Sequence, residues 1–376
     1  MVQIPPAAPT SSPKPPRRPT SPDGIIVVDK PQGITSHDVV ARLRRLCGTR
    51  AVGHGGTLDP MATGVLICGI GKGTKLLTYV SGSDKAYSAT IRLGIATTTD
   101  DAEGEIAAAP SAVFISGNVE SNCHSAQGTV VTQTQNLESE ITGKQITSEM
   151  LLSEIEKLTG EIDQVPTAVS AIKVNGKRAY DLVREGEEVE LKARPVTVSE
   201  FEVTYIVNAI QDGVPVIDLT VNVVVSSGTY VRALARDLGE ALGTGGHLTM
   251  LRRTRIGKVD LSQAQTLDQL ARFCDSAQND DGAGEPLPTI PLGEAAALFL
   301  PTRTISEFEA GELRQGKFIE KGDTDTVTAA LFSPSFCAQS QNPGTLSDSP
   351  PELVAIIEPA AASDKAKPKV VFPWEP

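Results

Sequence analysis

Residues 52 to 64 read VGHGGTLDPMATG, with four glycines and a proline in thirteen positions. Such a stretch does not sustain a helix or a regular strand, because glycine leaves the backbone unrestrained and proline removes a donor. The expectation is a loop leading into the apolar run Val65 to Ile70. The loop carries one imidazole, His54, and one carboxylate, Asp59. Glycine-rich loops let backbone approach a ligand closely, and functional groups concentrate on loops. On loop chemistry alone a plainer reading leads: Asp59-Pro60 starts a turn and His54 is a surface residue.

Working outward, Gly24 to Lys30 (GIIVVDK) reads as a buried strand ending at the Pro31-Gln32-Gly33 turn. Thr35 or Ser36 then caps an amphipathic helix, with Val39, Val40, Leu43 and Leu46 on its apolar side and Arg42, Arg44 and Arg45 on its edges. On the other side of the loop, Lys85 to Leu93 (KAYSATIRL) alternates as a strand and closes in the acidic turn Asp100 to Gly104. From Glu105 to about Thr147 polar residues dominate without a period, the pattern of an inserted, disordered loop. Helical spacing returns at Leu151, Ile155 and Leu158, and an alternating segment runs from Ser170 to Val174. Val214 to Val225 alternates most strongly, as one long strand or a strand pair, and Tyr230 to Leu242 is helical up to Gly243.

Composition limits the function classes. The 376 residues are 40% hydrophobic and 21% charged, enough for a large domain and a smaller one. Residues 1 to 23 form a basic, proline-rich tail without the apolar region of a secretion signal, and no run approaches the roughly 18 to 20 apolar residues of a membrane span. The five cysteines form no CxxC pair or zinc spacing, which fits a reduced, cytoplasmic compartment. A net charge of −12 argues against nucleic acid only if it is spread evenly. It is not: residues 24 to 104 hold 9 Lys/Arg against 7 Asp/Glu, residues 228 to 258 hold 6 against 2, and residues 261 to 376 hold 8 against 17.

Other chemistries lack their residues. Gly69 to Thr74 (GIGKGT) has neither the spacing nor the Lys-Ser/Thr pair of a phosphate-binding P-loop, and no GxSxG elbow or HExxH pair occurs. What the chain does carry is a series of long motifs in a fixed order. They are Gly24 to Lys30, His54 to Gly64, Lys85-Ala86-Tyr87, Gln164 to Tyr180 (QVPTAVSAIKVNGKRAY), Arg194-Pro195-Val196, Gly228 to Arg232 (GTYVR) running on to Gly246-His247-Leu248, and Leu251 to Gly257 (LRRTRIG). Over residues 24 to 105 and 148 to 270 this series resembles the bacterial TruB tRNA pseudouridine-55 synthases, relatives of the dyskerin group. It departs from the usual pattern at Gly55, Thr167 and Val169.

The resemblance implies a mixed α/β (α+β) pseudouridine synthase fold around a mainly antiparallel sheet, with no metal and no nucleotide cofactor. It implies a catalytic domain over 24–270 with a flexible insertion at 105–147, a linker at 271–288, and a small β-rich PUA-like domain over 289–376 with a polar loop near 334–351. The implied reaction breaks the C1'–N1 bond of one uridine in the T-stem-loop of tRNA, at position 55, turns the uracil and rejoins it through C5. Asp59 matches the catalytic carboxylate, Tyr87 the tyrosine that stacks on the target base, and Arg232 the arginine paired with the aspartate. A paired arginine is expected to lower the pKa of Asp59. Tyr230 and Leu251 match residues lining the uracil pocket, although core packing alone would also explain them, and His54 matches one that contacts RNA near the flipped nucleotides. Arg252, Arg253 and Arg255 are candidate phosphate contacts.

Two further readings stay open at the level of sequence. The chain modifies another structured RNA, or it is a non-catalytic RNA-binding or chaperone protein; replacement of Asp59, Tyr87 or Arg232 would have favoured the latter, and all three are present. A monomer and no membrane association complete the expectations.

Overall fold

The computed structural model describes residues 19–107, 110–115, 131–134, 143–167, 173–174, 177–178, 191–276, 285–333, 350–361 and 363–373, of which 131–134, 173–174 and 177–178 only in their backbone course. The chain is built on a twelve-stranded sheet and, towards the C-terminus, a five-stranded one. Across the large sheet the order is Gln265–Thr266, Gly24–Lys30, Thr63–Ile70, Gly246–Ile256, Lys85–Leu93, Val214–Val225, Arg194–Gln211 and Val131–Thr134. All its long pairings are antiparallel, and the parallel ones span only two to four residues. This is the mixed, mainly antiparallel architecture that the resemblance implied.

Local sequence explains the elements around the site. Gly24–Lys30 is buried along almost its whole length, as its unbroken apolar run requires for a strand covered on both faces. The Ser36–Leu46 helix starts at Thr35, whose hydroxyl accepts from the Asp38 amide while Asp38 reaches back to the Thr35 amide, a complete capping box. Lys85–Leu93 alternates buried and half-buried residues without a break, so Tyr87, Ala89 and Ile91 share the core face.

Gly64 is the joint of the sheet. It sits at φ +101°, and a Cβ there would fall on the Arg253 carbonyl oxygen. Only glycine lets Thr63–Ile70 run this close to Gly246–Ile256, and their short parallel contact pairs Thr63 with Arg252 and Gly64 with Arg253. The crossing holds Arg253 against the Gly56–Asp59 loop, where it donates to the Gly56 and Thr57 carbonyls.

The glycine-rich stretch is not all loop. Val52–Gly55 forms a short strand paired with Thr63–Ile70, because Gly55 takes a position where a Cβ would strike the Val80 side chain. The glycine that departs from the family pattern is thus matched to the packing of Val80. The 105–147 segment is also partly ordered. Val113–Ile115 pairs in parallel with Lys144–Ile146, and the buried Asn208 side chain both accepts from the Ile115 amide and donates to its carbonyl, at 2.9 Å each. Val113, Ile115 and Ile146 join the main core, which supplies the anchoring that polar composition hid. The 271–288 linker begins later than expected, since Leu267–Ser276 is a helix whose Leu270 and Cys274 pack beneath Gly24–Lys30. The proline-rich tail up to residue 18, most of Ser170 to Val174 with Val169, and residues 334–349 lie outside the described residues.

Beyond residue 289 the helices Leu292–Phe299 and Glu307–Arg314 accompany a sheet in the order Thr302–Thr304, Thr328–Phe332, Glu352–Pro359, Lys365–Val371 and Ile319–Glu320. One apolar cluster unites the two sheets: Ile25, Val27, Val65 and Ile256 of the large one pack with Ala329, Leu353, Ile356 and Phe372. No helix among the described residues is long and apolar enough to cross a membrane.

Candidate active site

Three segments far apart in sequence meet at a cavity of about 510 Å³. Gly56 to Pro60 form one wall, Ser227 to Arg232 a second, and Lys85, Tyr87, Leu251 and Arg253 rise from the sheet below. Asp59 stands on the loop wall, held there by its neighbours. The Ser36 hydroxyl, at the start of the first helix, accepts from the Leu58 amide at 2.9 Å and donates to the Leu58 carbonyl at 3.1 Å. The fully buried Lys30 ammonium donates to the carbonyls of Pro31, Ile34 and Pro60, and burial pushes its pKa down to about 8.

Arg232, at the second position of the Val231–Ala241 helix, points from the other wall. Its Nε lies 3.1 Å from Asp59 Oδ2, and its Nη1 lies 3.2 Å from Asp101 Oδ2 and donates to the Thr99 carbonyl at 2.9 Å. One guanidinium therefore serves two carboxylates. They differ in setting: the Asp101 side chain is 3% exposed, that of Asp59 is 37% exposed and opens onto the cavity. Asp101 is fixed further by the Thr99 hydroxyl at 2.5 Å and the Glu103 amide at 3.0 Å.

The electrostatic balance at Asp59 runs opposite to the expectation from pairing alone. Burial raises its pKa above the ordinary carboxylate value, the nearby Asp101 adds to the rise, and Arg232, Lys30 and Arg253 pull it down without cancelling it. The ion pair is present, but Arg232 divides its charge between two acids in a partly dehydrated site. A carboxylate whose charge is incompletely solvated is a stronger base and nucleophile than one in water.

Tyr87 is 8% exposed and presents its ring to the cavity from the floor, beside Leu251 at 6%. The Tyr230 backbone is clasped by the buried Gln164 side chain, which accepts from its amide at 2.9 Å and donates to its carbonyl at 3.1 Å. Asp59, Tyr87, Tyr230, Arg232 and Leu251 are thus gathered in one cavity. His54 is not among its lining; it lies behind, on Val52–Gly55, where burial lowers its pKa and its buried Nδ1 meets no hydrogen-bond partner among the described residues.

The three candidate phosphate contacts separate. Arg253 is 1% exposed and donates to the carbonyls of Val65 at 2.8 Å, Gly56 at 2.8 Å and Thr57 at 3.5 Å. Its role in the fold is to brace the Gly56–Asp59 loop from below, and it is not presented as a surface contact. Arg252 makes a two-pronged pair with Asp29 at 3.0 and 2.8 Å, and Arg255 pairs with Asp84 at 2.8 Å. Alternation turns 251 and 253 to the cavity and 252 away from it, and the register shift between Arg253 and Arg255 then takes 255 off the cavity face.

Sequence reasoning missed Asp101, Glu103 and Lys85. The Asp100 to Gly104 stretch read as a plain acidic turn, and no spacing linked it to Arg232. In the fold the Leu248 amide donates to the Asp100 carbonyl at 3.0 Å, which straps that turn to the sheet. Lys85 lines the cavity with its ammonium turned to the carbonyls of Ser81 and Ser83, and burial pushes its pKa down to about 8.

Comparison with known proteins decides the ancestry of this arrangement. Residues 44–134 and 125–231 match the N-terminal domain model of the TruB family pseudouridylate synthases, and residues 232–301 match the tRNA pseudouridylate synthase B C-terminal domain model. Proteins named tRNA pseudouridine synthase B from Arthrobacter sp. strain FB24 and Paenarthrobacter aurescens are 47% and 46% identical, over 93% of this chain and 96% and 94% of theirs. The chain belongs to the TruB family of pseudouridylate synthases. Among solved structures, an H/ACA ribonucleoprotein bound to a substrate RNA containing 2'-deoxyuridine shares the fold at 21% identity and a TM-score of 0.57, covering 93% of this chain and 84% of that one. A Cbf5-Nop10-Gar1 complex does so at 23% and 0.53, covering 82% and 74%. The boundary between the two family models falls at Val231/Arg232, inside a helix, and both sides share the large sheet, so in this TruB-family chain it is not a break in the fold.

Proposed function

We propose that this TruB-family enzyme converts the uridine at position 55 in the T-stem-loop of tRNA to pseudouridine, with Asp59 as its catalytic carboxylate. The observation that carries the reading is the Asp59–Arg232 pair at 3.1 Å, open to a cavity floored by Tyr87 and Leu251. Relatives named tRNA pseudouridine synthase B, aligned over almost the whole chain, support tRNA as the substrate.

The chemistry follows from the residues. A uridine inside a folded loop is out of reach, so it is extruded into the cavity at a cost of a few kcal/mol of unstacking. Stacking on Tyr87, worth about 1–3 kcal/mol per base, offsets part of that cost. Asp59 acts at C1' or on the base while the C1'–N1 bond breaks; the uracil turns, the C5–C1' bond forms, C5 gives up its proton and N1 regains one. Tyr87 takes the C5 proton in this scheme. Tyr230 and Leu251 confine the ring during its rotation, and Arg232 keeps the carboxylate aimed. His54, with Arg252 and Arg255, serves the RNA outside the cavity. In this reading the enzyme works as a monomer, and the sheet beyond residue 289 is a PUA-like unit that follows the catalytic domain.

The test is product mapping on an unmodified tRNA transcript and on one carrying cytidine at position 55. Pseudouridine in the first alone is the expected result. Product elsewhere in both transcripts would assign another RNA site, and binding without product would favour a non-catalytic role.

A further inference from the structure

Arg252 and Arg255 are already paired with Asp29 and Asp84, and they are not the whole of the positive charge near the site. The helix Ser36–Leu46 and the turn after it hold four exposed arginines, Arg42, Arg44, Arg45 and Arg50, in a protein whose net charge is −12. Arg44 donates to the Val52 carbonyl at 3.2 Å. Arg42, Arg45 and Arg50 form no ion pair within salt-bridge distance among the described residues; Asp38, one turn before Arg42, is hydrogen-bonded to the Thr35 amide and hydroxyl and feels the Arg42 charge from further off. The apolar side of the helix, with Val39, Val40 and Leu43, is consumed by the core, so the arginines occupy its outer side.

The helix is also rigidly joined to the site. Ser36, 2% exposed, holds both backbone groups of Leu58, the residue before Asp59. At about 1.5 Å per residue, Arg42 and Arg45 stand roughly 9 and 14 Å along the axis from that clasp. By contrast, the Glu103 carboxylate, which lines the cavity, makes no hydrogen bond or ion pair among the described residues and repels phosphate. The signs therefore favour an RNA backbone leaving the cavity on the helix side.

We infer that Arg42, Arg45 and Arg50 form a phosphate track for the substrate RNA, running outward from the Asp59 loop along the first helix. The inference rests on the RNA substrate proposed above and adds which surface holds its backbone. Neutralising one phosphate-binding arginine should make the slope of log binding constant against log salt shallower by about 0.7–0.9.

The experiment measures binding of an unmodified tRNA transcript to the full chain between 50 and 300 mM KCl, for the wild type, for Arg42→Gln/Arg45→Gln/Arg50→Gln and for the matching triple Lys variant. The expected result is a slope shallower by about 2–3 for the Gln variant, with the wild-type slope kept by the Lys variant. An unchanged slope in the Gln variant overturns the track, and so does an equal change in both variants, which would mean a structural effect. Product mapped at position 55 by the wild type keeps these outcomes apart from the proposed activity: the activity stands with the track overturned if product forms but the slope does not change. A wild type that binds no tRNA would overturn both.

Discussion

At Asp59, folding and the proposed chemistry pull in opposite directions. Folding raises its pKa, so in the unfolded chain the carboxyl loses its proton at lower pH than in the folded one. The ionised form therefore costs stability at neutral pH, and this cost disappears as the pH falls below the unfolded value. Two outcomes follow. Asp59→Asn should melt at the wild-type temperature or above it at neutral pH, because Arg232 keeps Asp101 as a partner; scanning calorimetry checks this, and a large fall in Tm would contradict it. Activity that needs the ionised carboxylate should decline as the pH is lowered through an apparent pKa above the ordinary Asp value, read from a single-turnover pH profile. A profile flat down to the ordinary carboxylate range would remove Asp59 from the protonation-sensitive step. The motif that carries this residue was legible in the sequence. The pKa of Asp59 was not, because Asp101 and Lys30 come to it from 42 and 29 positions away and only the folded sheet unites them.

At the scale of elements, the sheet depends on one crossing. Gly64→Ala places a Cβ on the Arg253 carbonyl and adds a left-handed residue, itself costing roughly 1–2 kcal/mol. Thermal or urea unfolding should show a destabilisation larger than that figure, and one below about 1 kcal/mol would mean the strands separate without consequence. Strands and helices with clear periods, such as Gly24–Lys30 and Lys85–Leu93, were readable to the residue. Val52–Gly55 was not, since its strand character comes from pairing with Thr63–Ile70 and from the space Val80 takes up. The strands at either end of the 105–147 segment escaped for the same reason: Asn208, about ninety residues on, supplies what their own composition lacks. Arg253 shows the converse. In sequence it belongs to a basic cluster, whereas alternation along its strand turns it inward to brace the loop.

For the whole molecule, the apolar cluster shared by both sheets makes the C-terminal unit part of the stability of the catalytic one. Lys75 reinforces it, donating to the Val371 carbonyl at 3.1 Å and lying 5.2 Å from the centre of the Phe372 ring. Phe372→Ala, at 2% exposure, should cost about 3–5 kcal/mol and move a single unfolding transition. Two separated transitions, with the catalytic one unmoved, would show the units to be independent. Charge at this scale is divided, with acid towards the C-terminus and exposed arginine on the Ser36–Leu46 helix.

The central claim is that Asp59 performs chemistry while other residues hold the RNA. Its most direct test is pseudouridine formation at position 55 of an unmodified tRNA transcript by the wild type and by Asp59→Asn, with tRNA binding assayed in parallel. The account predicts product with the wild type, none with the variant, and affinities within a few-fold of each other. Product from Asp59→Asn at a rate near that of the wild type would contradict it.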